Sequence, residues 1–410
     1  MTSSTANTEP TGRNETAFMT ETVDLAALLG GPDFETDPYP AYAELRGNSG
    51  WTAPSGYRVF SSYEDVQQIL KQPDLFGQET VPYPNFHTTD PPVHTRIRRL
   101  VAKAFTAHSV GLLRGHIDEI VARKFDDLAD REEFDLVQEF AQLVSAAVIA
   151  SVLTVPESDA VKWYPWMWDL ARFRGITRYF PFETIGDPGA LAAAKHANDL
   201  STGYMRHLIE THESLRDGSI VDGLFEAREN DDSLSEPEIL GTLVLLLGAG
   251  LHTTSGQMSN TFRLILSRPE IAAQLRADPE LVPNAVEEAL RIEGALQAEY
   301  RVVRSELTLS GVELAAGDHL IVVNGAANHD PAVFENPEVF DIRRENARRH
   351  LTFGFGIHHC LGAELARTEL VSATRQLLAR FPTIELLDRG KQSRWDRWRS
   401  LSALPVRVAR

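Results

Sequence analysis

The chemistry this chain can do is concentrated around one sulfur. Cys360 is the only cysteine among 410 residues, which excludes an intrachain disulfide and any multi-cysteine zinc or iron–sulfur site. It stands in residues 353–362, FGFGIHHCLG, with Gly354 and Gly356 before it and Gly362 just after. Glycines let a backbone turn tightly and approach something large and flat. An apolar segment, 361–379, follows and reads as a helix whose positive end points at the sulfur, favouring thiolate over thiol. A thiolate presented this way is a nucleophile or an axial haem ligand. A buried, inert cysteine is the plain alternative.

Other residues with chemical potential lie far from the thiol in sequence. In DPPVHTRIRRLVAKAF, 90–105, a helix begins at the prolines. His94 and Arg98, four apart, share one face of it and suit an anionic group. Arg96, Arg99 and Lys103 are read as solvated. Residues 236–267 read as the longest helix, roughly 48 Å at 1.5 Å per residue, apolar nearly all round and therefore central. Its weak point is 248–254, GAGLHTT. Gly248 and Gly250 each destabilise a helix interior by about 1 kcal/mol, and Thr253 can bond back to a carbonyl. Such a thinned stretch leaves room for a small ligand, or allows close helix packing. Glu288 and Arg291, three apart in NAVEEALR, share a helical face.

The elements that must position these groups are mostly helices: 39–46, 63–70, 110–129 and 134–153 have helical periodicity. Strands are expected at 57–60, 300–309 and 312–314. From 72 to 89 Pro73, Pro82 and Pro84 impose a loop, whose apolar Val81, Tyr83 and Phe86 are costly to expose together. An aromatic cluster follows at Trp163, Tyr164, Trp166, Trp168, Phe173, Tyr179, Phe180 and Phe182. Pro165 and Pro181 are expected to interrupt its helix, so several of these rings read as pocket walls rather than a core stripe.

Five of these segments, in order and at compatible spacing, resemble the cytochrome P-450 family. Phe353, Gly356, His358, Cys360 and Gly362 match its haem loop F-x-x-G-x-H-x-C-x-G, and His94 and Arg98 its H-x-x-x-R helix. Ala249, Gly250 and Thr253 match its A-G-x-[D/E]-T, with His252 in place of the acid. Glu288 and Arg291 match E-x-x-R, joined by Arg344 from 340–344, FDIRR. Asn328-His329-Asp330-Pro331 resembles its A-N-R-D-P turn.

The resemblance implies a mainly α fold with small β-sheets, a long central helix, and haem b between that helix and the cysteine-loop helix. Cys360 would be the axial ligand of the haem iron. His94, Arg98, Arg301 and His358 would meet the propionates, while Gly250 and Thr253 would form the oxygen site. Glu288, Arg291 and Arg344 would serve folding and haem incorporation. Val81, Tyr83, Phe86, Phe173, Phe180, Ala249, Leu296 and Gln297 would line the substrate pocket. In the family the acid and alcohol relay protons to dioxygen. A histidine can still move protons, or it can point away and leave Thr253 to work with ordered water.

The implied activity is a monooxygenase that hydroxylates a small or mid-sized, partly aromatic molecule with O2. Its electrons would come from NAD(P)H through a separate ferredoxin and ferredoxin reductase. Alternatives are coupling, desaturation or nitration, prompted by His252, or peroxide-driven oxidation. From another class, the alternative is a haem-binding sensor without turnover.

Composition sets the remaining bounds. A net charge of -18 argues against non-specific nucleic-acid binding. Apolar content of 43% is ample for a core. Residues 1–20 are polar and read as disordered, with 21–410 as one domain. The longest apolar run, 239–251, is too short for a bilayer. The chain reads as a soluble, cytoplasmic monomer.

Overall fold

The computed structural model describes residues 37–78, 85–102, 105, 107–179, 188–211, 234–395 and 398–409. In chain order, α1 (Tyr39–Gly47), β1 (Trp51–Thr52), β2 (Arg58–Phe60), α2 (Tyr63–Lys71) and β3 (Phe76–Gly77) come first. Then follow α3 (Val93–Ala102), α4 (Ala107–Asp126), β4 (Glu133–Asp135), a π turn (Val137–Ala141), α5 (Gln142–Leu153), α6 (Glu157–Tyr179) and α7 (Pro188–Thr211). The middle of the chain gives α8 (Glu236–Leu266), α9 (Pro269–Ala277), α10 (Val282–Ile292), β5 (Glu299–Val303), β6 (Leu307–Leu309), β7 (Val312–Leu314), β8 (His319–Val322) and α11 (Asn324–Ala327). Last are α12 (Ala363–Arg380), β9 (Thr383–Leu386), β10 (Lys391–Trp395), β11 (Trp398–Ala403) and β12 (Pro405–Ala409).

Helix α8 starts at a capping box: the Ser235 side chain and the Glu238 carboxylate satisfy each other's backbone donors. Arg96 of α3 also pairs with Glu238, so it ties α3 to α8 instead of standing solvated. Along α8, Leu243, Leu247, Leu251, Met258 and Phe262 are fully buried, each worth about 2 kcal/mol against exposure. The helix lies against α5, α7, α10, α12 and β11. By length and composition it could cross a membrane, more than the apolar run alone implied, but most of that span is buried within the protein.

A five-stranded sheet in the order β1-β2-β8-β5-β3 flanks the helices, parallel only between β2 and β8. The strand expected over 300–309 is two strands, β5 and β6, with Arg304 at the break held by Asp90 at 2.5 Å. The helix expected over 134–153 begins instead as β4 and a π turn. Phe134 is drawn into a ladder with Val406, and Asp135 Oδ1 accepts from the Val137 and Gln138 amides that follow. Pro165 does not interrupt α6. Losing one backbone bond there costs about 3 kcal/mol, and the burial of Trp163 and Met167 on either side offsets it.

Candidate active site

The cysteine loop is closed by the Cys360 amide donating to the Phe353 carbonyl at 2.8 Å. Gly354 and Gly356 have φ of +70° and +69°, in the left-handed region that glycine adopts without penalty. A side chain on Gly356 would come within 2.5 Å of the Leu70 carbonyl at the end of α2. Beyond the cysteine, α12 starts at Ala363, so its free amides face the sulfur as expected. Burial pushes the thiol pKa up, while the Gly362 amide and the charges of Arg98 and Arg367 pull it down.

Glu287, Glu288, Arg291, Arg344, His350 and Arg367 form two buried networks beside this loop. Glu288 accepts from Arg291 at 2.7 and 2.8 Å and from Arg344 at 2.9 Å, all three buried. The triad expected from the sequence is therefore assembled. Beside it lies a network that no sequence motif marked. Glu287 accepts from Arg367 at 2.7 Å and meets His350 at 3.2 Å, and Arg367 lies over the Phe353 ring. Burial disfavours the Glu287 carboxylate, but hydrogen bonds and charge from His350 and Arg367 outweigh it and hold its pKa down at about 2.

His94, Arg98, Arg301 and His358 converge from three elements. The His94 and His358 rings meet edge to face at 4.4 Å. Arg98 donates to the His359 carbonyl at 2.6 Å, and its guanidinium lies over Phe86. Phe86 is thus buried in the core as a support for Arg98 and is not an open pocket wall. Burial first, then Arg301 and His94, hold His358 at about 2. Arg301 is buried on β5, where it donates to Glu299 at 2.9 Å.

The residues expected at the oxygen site lie on α8. Ala249 is exposed midway along α8, and Thr253 is half-buried one turn on. The Thr253 hydroxyl bonds back to the Ala249 carbonyl. Gly250 does not face this cleft. A side chain there would run into Ile149 of α5, so this glycine serves close helix packing. His252 points away too: its ring donates to the Tyr164 main chain, and Tyr164 stands edge-on to it at 4.9 Å. Burial lowers its pKa to about 4, so it is neutral at pH 7. His252 also lines a cavity of ≈ 320 Å³ with Val137, Gln142, Ser255, Ser400 and Leu401. On the same flank Glu369 of α12 is fully buried, and burial raises its pKa well above the carboxylate range.

Of the expected pocket residues, Leu296 bridges to Trp398 of β11. Gln297 is turned away from any overhanging position, because Tyr42 and the Gly294 carbonyl hold its side-chain amide. Phe173 falls on α6; Val81, Tyr83 and Phe180 lie outside the described residues, as do Lys103 and residues 1–20. Trp163 is core, packed on Tyr204 at 5.5 Å, and not a pocket wall.

These residues fit a flat, dianionic, iron-bearing macrocycle. The donor set is one buried thiol whose pKa burial raises, with an amide and two arginines opposing that rise. Both ring nitrogens of His358 are buried and meet no hydrogen-bonding partner among the described residues, as a group awaiting an anion would be.

The family model for Cytochrome P450 matches residues 57–405. The chain belongs to the cytochrome P450 family. This P450 is 36% identical to the cytochrome P450 monooxygenase PikC of Streptomyces venezuelae, over 95% of this chain and 94% of that protein. It is 34% identical to the mycinamicin IV hydroxylase/epoxidase of Micromonospora griseorubida, over 88% and 89%. Among solved structures, CYP109E1 from Bacillus megaterium in complex with testosterone superposes with a TM-score of 0.86 at 29% identity, covering 92% of this chain and 99% of that one. As a family member this P450 is a monooxygenase of small organic molecules. It uses haem b and O2, and takes electrons from NAD(P)H through separate redox proteins.

Proposed function

We propose that this P450 hydroxylates a small or mid-sized, partly aromatic molecule, with Cys360 as the axial ligand of the haem iron. The observation that carries this reading is the thiol of Cys360 held among the Gly362 amide, Arg98 and Arg367, with a carved helix wall at Ala249 and Thr253. His94, Arg98, Arg301 and His358 hold the propionates, whose burial otherwise costs several kcal/mol. When bound, haem supplies the activation of O2, so that one oxygen atom enters a substrate C–H bond and the other leaves as water. Thr253 would offer its Oγ1 hydroxyl as the proton-carrying group on this wall. His252 is neutral and turned onto Tyr164. Leu296 and Ala249 face the substrate.

Electrons arrive from an acidic ferredoxin served by a ferredoxin reductase. Arg99, Arg343, Arg348 and Arg349 are exposed on the two segments flanking the thiolate side, a basic patch on an acidic protein. The enzyme works as a cytoplasmic monomer, with 21–410 as its catalytic unit. A relative named for hydroxylating or epoxidising mycinamicin IV, and one solved in complex with testosterone, support a substrate of that size range.

The test is direct. Reduced protein under carbon monoxide shows the red-shifted Soret band of thiolate ligation, and Cys360→Ser abolishes it. With ferredoxin and reductase supplied, NAD(P)H consumption tracks product. A normal band with no turnover on any ligand that displaces the iron-bound water would leave a sensor instead.

A further inference from the structure

One buried charge beside the cysteine loop has no part in the proposed site. Glu299 and Arg301 lie two apart on β5 and so project from one face. Both are buried, at 5% and 2% exposure. Arg301 Nη2 donates to Glu299 Oε2 at 2.9 Å, and Nη1 to the Tyr300 carbonyl at 2.7 Å. Asn324 Nδ2 donates to Glu299 Oε1 at 3.1 Å. Burial pushes the Glu299 pKa up, but the Arg301 charge and these hydrogen bonds more than offset it and keep it below the usual range. The cysteine loop sits directly on this carboxylate. A side chain added at Gly354 would stand 2.9 Å from Glu299 Oε1, and the Glu299 charge is felt at Cys360.

We propose that Glu299 is a fixed third carboxylate of the propionate cage: it shares Arg301 with a propionate, holds that guanidinium in place and depresses the iron reduction potential. The physical reason is charge balance. Arg98 and Arg301 match two propionates; an ionised Glu299 leaves one negative charge in excess. In a low-dielectric interior that excess acts strongly over several ångströms. It favours the ferric state, which carries one more positive charge than the ferrous. Glu299 is a positioning residue, since it acts through Arg301 and through the field.

The inference rests on the haem seating proposed above, and the test separates the two. In the holoenzyme, Glu299→Gln keeps the size of the side chain and an acceptor for Arg301 but removes the charge. Its ferrous–CO band stays at the wild-type position, while its midpoint potential by spectroelectrochemistry moves positive. The expected shift changes the oxidised-to-reduced ratio about tenfold, ~59 mV for a one-electron couple. Glu299→Asp restores a potential close to wild type. Haem transfer to apomyoglobin is no faster from Glu299→Gln than from wild type, because the amide oxygen still holds the Arg301 guanidinium. Should Glu299→Gln fail to fold, Glu299→Thr removes the same charge without competing for the Asn324 bond. An intact CO band with an unshifted potential in the neutral variant overturns the proposal. Absence of the thiolate band in the wild type overturns the seating instead.

Discussion

Tyr164 stands at 89° to the His252 ring, 4.9 Å away, and its main chain takes the imidazole N–H. The residue that replaces the family's acid is therefore engaged with α6 and neutral. Replacing it with aspartate removes a donor that Tyr164 holds, and frees a carboxylate for the proton route. His252→Asp is expected to keep or improve the fraction of electrons that reach product. Thr253→Ala is expected to raise hydrogen peroxide release several-fold. Collapse of turnover in His252→Asp with the CO band preserved would give His252 a proton role of its own, and unchanged peroxide in Thr253→Ala would remove Thr253 from the mechanism.

Gly250 makes the α5–α8 contact possible. Gly250→Ala forces Ile149 aside and is expected to destabilise the protein by about 1–3 kcal/mol, the usual range for overpacking. Ile149→Val in the same chain should recover part of that loss. A double-mutant cycle in chemical denaturation measures the coupling, and additive effects would show that the two positions do not touch.

Glu288 holds two buried guanidinium groups at once. Glu288→Gln leaves Arg291 and Arg344 without their counter-charge, at a cost of about 3–5 kcal/mol. The expected result is a lower thermal midpoint and little holoprotein on purification. Wild-type stability and haem content in that variant would refute a folding role for the triad.

Stability should decline in mild acid. His329 is buried against Tyr39, with Nδ1 2.8 Å from the Gly325 carbonyl, and burial holds its pKa at about 3 against an ordinary 6.5. A histidine depressed on folding supports the folded state fully only above its unfolded pKa. Between 6.5 and 3 the unfolded chain binds a proton that the folded chain refuses, so stability falls as pH falls. Thermal midpoints measured from about pH 7 to about pH 4.5 should drop, and His329→Phe should flatten the slope. An identical slope in the variant would assign the pH dependence elsewhere.

The basic face offers a kinetic test. Charge reversal at Arg99 and Arg348 should slow the first electron transfer from ferredoxin several-fold at low ionic strength, and the difference should shrink in high salt. Stopped-flow reduction under carbon monoxide reads it directly; unchanged rates at low salt would discard this docking face.

Residues bound by rigid local geometry are legible in the sequence itself. Gly354, Gly356 and Cys360 announce their loop because few other residues fit its backbone, and Glu288, Arg291 and Arg344 announce a triad through helical spacing plus a distant arginine. What is not legible depends on which neighbour arrives from elsewhere. Gly250 looks like an oxygen-site residue until Ile149 occupies its side, and Gln297 looks like a pocket residue until Tyr42 and Gly294 hold it. Pro165 reads as a breaker because the packing of Trp163 and Met167 is invisible locally. Phe134 has helical company in sequence, yet Val406 recruits it into a sheet. Glu299 is the most legible of the omissions, since its spacing from Arg301 already puts both on one strand face.

Asn260 of α8 grips the Glu293 and Arg399 carbonyls at 3.0 and 2.9 Å, and Trp398 bridges to Leu296. Synthesis runs from the N-terminus, so the strand that this asparagine fastens leaves the ribosome after nearly everything it closes upon. Until β11 emerges, the Asn260 amide lacks its Arg399 partner and Leu296 lacks its bridge to Trp398. A chain cut short before Lys391 would thus keep the cysteine loop and lose the strand that Asn260 and Leu296 hold.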